Sequence, residues 1–547
     1  MNRITINILS WLLIMAAVHS ISCKKNDYND GLETPRLFKP QGVSVKTADT
    51  TATVSWTAPL LAKGLPLSYT AEFSQDSTFA TSEFSVSTDT TVIVVTAEKI
   101  QLRTKYFVRV KADAYEHQPE SKWERSSSFS ITGEQWFHPI RDVELTENAV
   151  TLRWKPNPEF TTLWVGLNKG TPVKYTLTPA ELSSGVKQIT GLLADTTYLA
   201  EIWQGAKSKG FLVLRTLSPT VYTTILNPGD DLAAAITAAA DKAVIGLNPG
   251  IYSANGSNFN LVQKTVTLKS LSNNPADTKI AFKEFTLRGN GAGINLEGIE
   301  LDGTAANAGY FINLTGVSAD AEKCAYTQVT ISNCVVHAAT TSFLRANRGS
   351  AAGDYSMNQI IIRNTLVYDI GSALNYTCFH LDKLAFNTMH VSKSTFYNIG
   401  RQLLTASTVL TTAPAITFDY CTLNNFGAGG TQYAVINAGS NPVKFNITNS
   451  IVANIPRPGG TVRNEAMNAT AAGTAIVFSN NNTFNWTNGA ATPAPLTFPT
   501  TNITMVGNNA VDLGWTNTTT DFTLPANSVL RTVSSAGGAI GDPRWTY

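Results

Sequence analysis

The chain is poor in charge, histidine and cysteine, and each shortage removes a class of function. Of 547 residues, 15% are Asp, Glu, Lys or Arg; 41 basic side chains face 39 acidic ones, for a formal net charge of +2. A balance so sparse and even excludes a bulk electrostatic grip on nucleic acid, which needs a strongly basic face. Any anionic partner must be held by a local cluster. Disorder is excluded too, because 43% of the residues are apolar, enough to build large cores. Six histidines and five cysteines, with no CxxC spacing, leave no zinc module. Cys324, Cys334, Cys378 and Cys421 all fall in the C-terminal half and are expected as buried small side chains.

What is present begins at the N-terminus. Arg3 precedes an apolar run from about Ile4 to Val18, which gives way to small residues before Cys23. The run is too short for a stable membrane span. Ser20-Ile21-Ser22-Cys23 resembles a lipoprotein lipobox, with Ser20 where Leu is usual. The resemblance implies a signal peptide over 1–22, lipidation of Cys23 and a tether over 23–40 like those of Bacteroidota surface lipoproteins. Acyl chains contribute about 0.8 kcal/mol per buried methylene, so several together hold a protein at the outer membrane without a span.

Residues 41–133 and 134–223 alternate apolar and polar residues in short runs broken by turns, the pattern of a β-sandwich. ATVSWTAP carries Trp56 and AVTLRWKP carries Trp154; TKYFVRVKA and TTYLAEIWQ carry Tyr106 and Tyr198. With Thr104 and Thr196 two residues ahead of the tyrosines, both stretches resemble fibronectin type III modules with a tyrosine corner. Spacing the C-terminal domain from the membrane is the expected role. Exposed Trp136 or Trp203 is the alternative, as a sugar-binding aromatic.

Residues 224–547 carry repeats. INLEGIELDG from Ile294, VTISNCVVHA from Val329, IIIRNTLVYD from Ile360, MHVSKSTFYN from Met389, ITFDYCTLNN from Ile416 and FNITNSIVAN from Phe445 stack in register; IVFSNNNTFN from Ile476 reads as a looser copy with one extra residue. Columns one, three and eight are apolar, so period two sends them to one interior. Asn at columns five and ten is suited to bends and to stacked side-chain ladders. Such repeats wind into a solenoid; a jelly roll or propeller is the alternative. Asp230 or Asp231 caps a short helix over LAAAITAAA. This segment resembles the N-terminal cap of pectate-lyase-like proteins, and FTLPANSVLRTVSSAGGAIGDPRW resembles their C-terminal capping strands. The expected fold is therefore all-β: two fibronectin type III-like sandwiches, then a right-handed single-stranded parallel β-helix.

A third strand per coil is read from YFINLTG, SFLRANR, CFHLDKL, QLLTAST and AVINAGS. Aligned on inward Ile312, Leu344, Phe379, Leu404 and Ile436, they give an outward row of Asn313, Arg345, His380, Thr405 and Asn437. Asn347 and Asp382 follow in the next outward row, with Arg348 and Lys383 beyond. Here alone the repeat gathers charge. Arg345 and Arg348 suit uronate carboxylates in bidentate fashion. The pectate-lyase resemblance implies a base, Lys383, Arg345 or His380, removing the proton alpha to a uronate carboxyl, often with calcium. Asp382, with Asp354 and Asp369 in nearby turns, is a thin acidic set for calcium, and no cofactor is expected with certainty. Asp419 and Arg363 are placed on another sheet, His337 and His390 alone in outward columns. No carboxylate pair shares the register a glycosidase needs. The partner expected is a uronate-containing polysaccharide such as pectin, bound at the cell surface within a glycan-uptake system. The alternatives are a polysaccharide lyase and a non-catalytic adhesive or structural protein.

Overall fold

The computed structural model describes residues 35–546 apart from 63, 168–169 and 347–353. The signal peptide, Cys23, the start of the tether, and the site candidates Asn347 and Arg348 lie outside the described residues.

The first sandwich sets Gln41–Thr47, Thr51–Thr57 and Val92–Thr96 against a sheet ordered Phe84–Thr88, Tyr69–Ser74, Phe107–Ala112, Glu124–Arg125. All neighbours are antiparallel. Alternation explains the core: Ala52, Val54 and Trp56 point inward from one strand to meet Tyr69, Phe73, Val108 and Val110. The Tyr106 hydroxyl accepts the backbone N–H of Gln101 at 3.3 Å, the expected tyrosine corner. In the second module, Val173–Thr176, Thr162–Leu167, Thr197–Gln204 and Lys207–Arg215 form one sheet; Ala149–Arg153 and Val186–Thr190 form the other. Trp154 is buried. The strand order is fibronectin type III-like in both.

The remainder is a parallel β-solenoid of about nine turns. Among the described residues its first wall has eleven strands, its second nine and its third eight. The repeat columns fall where expected. Ile294, Val329, Ile360, Met389, Ile416 and Phe445 pair in sequence along the first wall, all buried. Column five is left-handed in every turn from Asn333 to Asn480, including Lys393 and Tyr420. The bend is thus a demand of the coil, and Asn meets it at least steric cost. At column ten, Asn398 donates to Asp369 at 3.1 Å and Asn425 to Asn398 at 2.6 Å. Column six links turns by a second ladder. The N–H of Thr365 donates to Ser394 Oγ, that of Cys421 to Ser450 Oγ and that of Ser450 to Asn481 Oδ1. The four described cysteines are free and buried.

Two expectations are corrected and one is narrowed. The copy at Ile476 has no extra residue, since Phe445 pairs with Ile476 and Val452 with Thr483; its irregularity is Thr483 in an apolar column. Asp231, and not Asp230, caps the helix Leu232–Ala238, accepting from the Ala234 N–H; Asp230 accepts from Asn227 instead. Leu232 and Ile236 close that end of the core. The closing segment adds no strand among the described residues. Its Trp515, Phe522, Leu524, Leu530 and Ile540 pack on outward Tyr397, Ile451, Ala453 and Phe484 of the second wall. Those side chains make an apolar outer surface that must be covered, so the segment runs as a belt. The far end of the core is closed by Trp486 and Phe498, stacked at 5.5 Å. Among the described residues, no helix is long and apolar enough to cross a membrane.

Candidate functional site

The third wall pairs Ile312, Leu344, Phe379, Leu404 and Ile436 in turn, all buried. Period two then directs the next residue of each strand outward. Asn313, Arg345, His380, Thr405 and Asn437 form one continuous outward row, one residue per turn. Neighbouring turns are about 4.8 Å apart, so residues far apart in sequence share a small surface.

Arg345 is the centre of this row. Its guanidinium lies 4.8 Å from the Tyr310 ring centre and 5.5 Å from that of Tyr376. Two aromatic faces pack on the cation and favour its charge. Tyr376 also meets His380 at 5.4 Å. His380 Nε2 lies 3.2 Å from Asp382 Oδ2, while Asp382 Oδ1 accepts the Ser407 N–H at 2.6 Å and the Ser407 hydroxyl at 2.8 Å. Burial works to raise the Asp382 pKa, but the bonds from His380 and Ser407 outweigh it and hold the carboxyl below its ordinary value. Lys383 follows in a left-handed turn, its N–H donated to Thr408. On the other side of Arg345, Asn313 donates to Glu284, whose same oxygen also takes Asn258 and Thr286. Asn437 accepts from Asn468 at 2.8 Å.

Calcium does not fit the described residues. It needs six or more oxygens, and the two carboxylates, Asp382 and Glu284, are already committed to donors within the protein. His380 Nδ1 is buried without a hydrogen-bond partner, so it offers no accessible base.

The other candidates disperse. Asp369 belongs to the column-ten ladder. Asp354 opens the first-wall strand Tyr355–Arg363 and faces Lys323. Asp419 accepts from Thr448 and Asn449, and Arg363 donates to Ser332. His337 is not alone, which corrects its sequence reading. It lies 3.1 Å from Glu300 and 3.6 Å from Asp302 on the second wall, and the ligand atoms of the three lie within 4.8 Å of one another. This also supplies a carboxylate pair that the repeat strings concealed. Lys279 already occupies it, 2.9 Å from Glu300 and 3.5 Å from Asp302. Burial opposes ionisation of Asp302, but Thr304, His337 and Lys279 hold its pKa below normal, the wrong direction for a glycosidase acid. Trp203 stacks on Trp164 at 4.2 Å, and Trp136 donates to Glu134 at 2.7 Å; each is half-buried.

Sequence reasoning missed Tyr310, Tyr376 and Glu284. Tyr310 opened one of the aligned strings, two residues before Ile312, and carried a signal. Tyr376 and Glu284 lie outside the aligned strings.

The sequence matches no protein-family model and no curated protein. Among solved structures, a two-domain fibronectin type III segment of chicken tenascin is 18% identical, covering 32% of this chain and 99% of that one, with a TM-score of 0.17. The FN1–FN3 domains of chicken CNTN1 are 12% identical, covering 34% and 69%, with a TM-score of 0.16. The central fibronectin-III array of RIM-binding protein is 16% identical, covering 36% and 67%, with a TM-score of 0.13.

Proposed function

We propose that the chain is an outer-membrane lipoprotein whose third wall binds an acidic, uronate-containing polysaccharide without cleaving it. The observation that carries the reading is Arg345 between Tyr310 and Tyr376, in one row with Asn313, His380, Thr405 and Asn437. A planar cation suits a uronate carboxylate, the tyrosines hold that cation in place, and the half-buried Asn437 amide suits sugar hydroxyls. Cys23 would anchor the chain by acyl groups. Such a protein would capture glycan beside an uptake complex.

Affinity electrophoresis of the full chain in gels containing acidic or neutral polysaccharide tests this. Retardation by an acidic glycan, weakened about tenfold or more in Arg345→Ala as expected for a lost charge-assisted contact, supports the proposal. Equal retardation of the variant overturns it. Release of unsaturated uronide, abolished in Lys383→Ala or Arg345→Ala, would replace binding by cleavage.

A further inference from the structure

Arg345 follows inward Leu344 on the third wall, and its guanidinium reaches back between Tyr310 and Tyr376, toward the corner where the second wall turns into the third; Arg401 and Arg463 stand at that corner. Tyr376, Arg401 and Tyr433 each stand three residues ahead of the paired inward residues Phe379, Leu404 and Ile436, so they occupy the same place in successive turns. Tyr310 stands two residues ahead of Ile312 and Arg463 four ahead of Met467, beside that column. The arginines are pinned to the turn before them. Arg345 lies over Tyr310 at 4.8 Å; Arg463 lies over Tyr433 at 5.0 Å and donates to the Thr431 carbonyl; Arg401 donates at 2.8 Å to the carbonyl of Asn375, next to Tyr376. Read along the axis, the corner alternates Tyr310, Arg345, Tyr376, Arg401, Tyr433, Arg463.

From this alternation we infer that the corner takes a glycan charged at every second sugar. The inference rests on the proposal that this face binds acidic glycan, and it names which kind. Guanidinium groups recur every second turn, about 9.6 Å apart at the usual strand spacing. A pyranose advances a chain by about one turn, so a disaccharide matches two. Each Arg then meets a carboxylate and each Tyr hydroxyl meets the hydroxyls of a neutral sugar. The neighbouring carboxylates Glu284, Asp382 and Glu465 keep this surface from being uniformly cationic. A polymer charged at every residue would set half its carboxylates against tyrosines and near these acids.

Titration calorimetry of the full chain tests the period. The probes are oligosaccharides alternating glucuronate with a neutral amino sugar, oligogalacturonates of equal length and neutral oligosaccharides. The expected result is at least about tenfold tighter binding of the alternating series, with affinity rising for each added pair of sugars. Arg401→Gln and Arg463→Gln should each weaken binding of the longer oligosaccharides about tenfold while the chain stays folded. Equal or tighter binding of oligogalacturonate, or unaffected Gln variants, while Arg345→Ala still weakens binding, overturns the period and leaves the binding proposal standing. Binding of neither acidic series overturns both.

Discussion

Arg345 owes its position to two tyrosines, and Asp382 owes its ionisation to Ser407 and His380. The two form opposite poles of one surface. Because the folded pKa of Asp382 is depressed, its contacts contribute stability that is complete above the unfolded carboxyl pKa, about 3.9, and lost as pH falls through the lower folded value. Asp382→Asn should therefore flatten the acid limb of the melting temperature below the unfolded carboxyl pKa of about 3.9, and reduce stability at neutral pH. Parallel curves for the two proteins would show that Asp382 is not held as described. At this scale the sequence was legible wherever the repeat governs. Asn313, Arg345, His380, Thr405 and Asn437 fell into one row because each follows an inward apolar residue. Tyr376 was not legible, since it lies just outside the aligned string and only the coil brings it beside Arg345. The Glu300–Asp302–His337 cluster was legible in the repeat and went unread: Glu300 and Asp302 stand at columns seven and nine of the string from Ile294, and His337 at column nine of the next, its paired neighbour.

The elements are held by two kinds of ladder, one apolar and one polar. Phe311, Phe343 and Phe379 stack inside the third wall at 5.0 and 5.3 Å. The buried hydroxyl of column six works differently: it satisfies a backbone N–H that the bend removes from the sheet. Ser450→Ala leaves the Cys421 N–H without its 2.9 Å acceptor, in a site with no access to water. It should cost about 1–3 kcal/mol, measured by urea unfolding, with glycan binding unchanged at full folding. No loss of stability would mean another group satisfies that N–H. The closing segment was misread at this scale. Its Phe522 and Leu524 are spaced as a strand would space them, but Tyr368, Tyr397 and Phe484 make the outside of the second wall too apolar to leave bare. That demand comes from the assembled coil.

In the whole molecule, the belt lies on the second wall and the Arg345 row on the third, so stability and the proposed binding can be tested apart. Deleting residues 510–547 uncovers Tyr397, Ile451 and Phe484. The truncated chain should melt at lower temperature and bind an apolar dye, yet keep its retardation by acidic glycan; loss of binding with the solenoid still folded would place the belt in the site. The sequence carried the all-β architecture of this molecule because alternation and a repeat near thirty residues are local patterns. What closes the coil and covers it depends on surfaces that exist only after winding.

The most direct test is hydrogen exchange of the full chain with and without an alternating uronate oligosaccharide. Slowed exchange is predicted in peptides covering 310–315, 376–383 and 401–405, with the first wall and both sandwiches unchanged. Protection confined to the sandwiches or to the first wall would contradict the account.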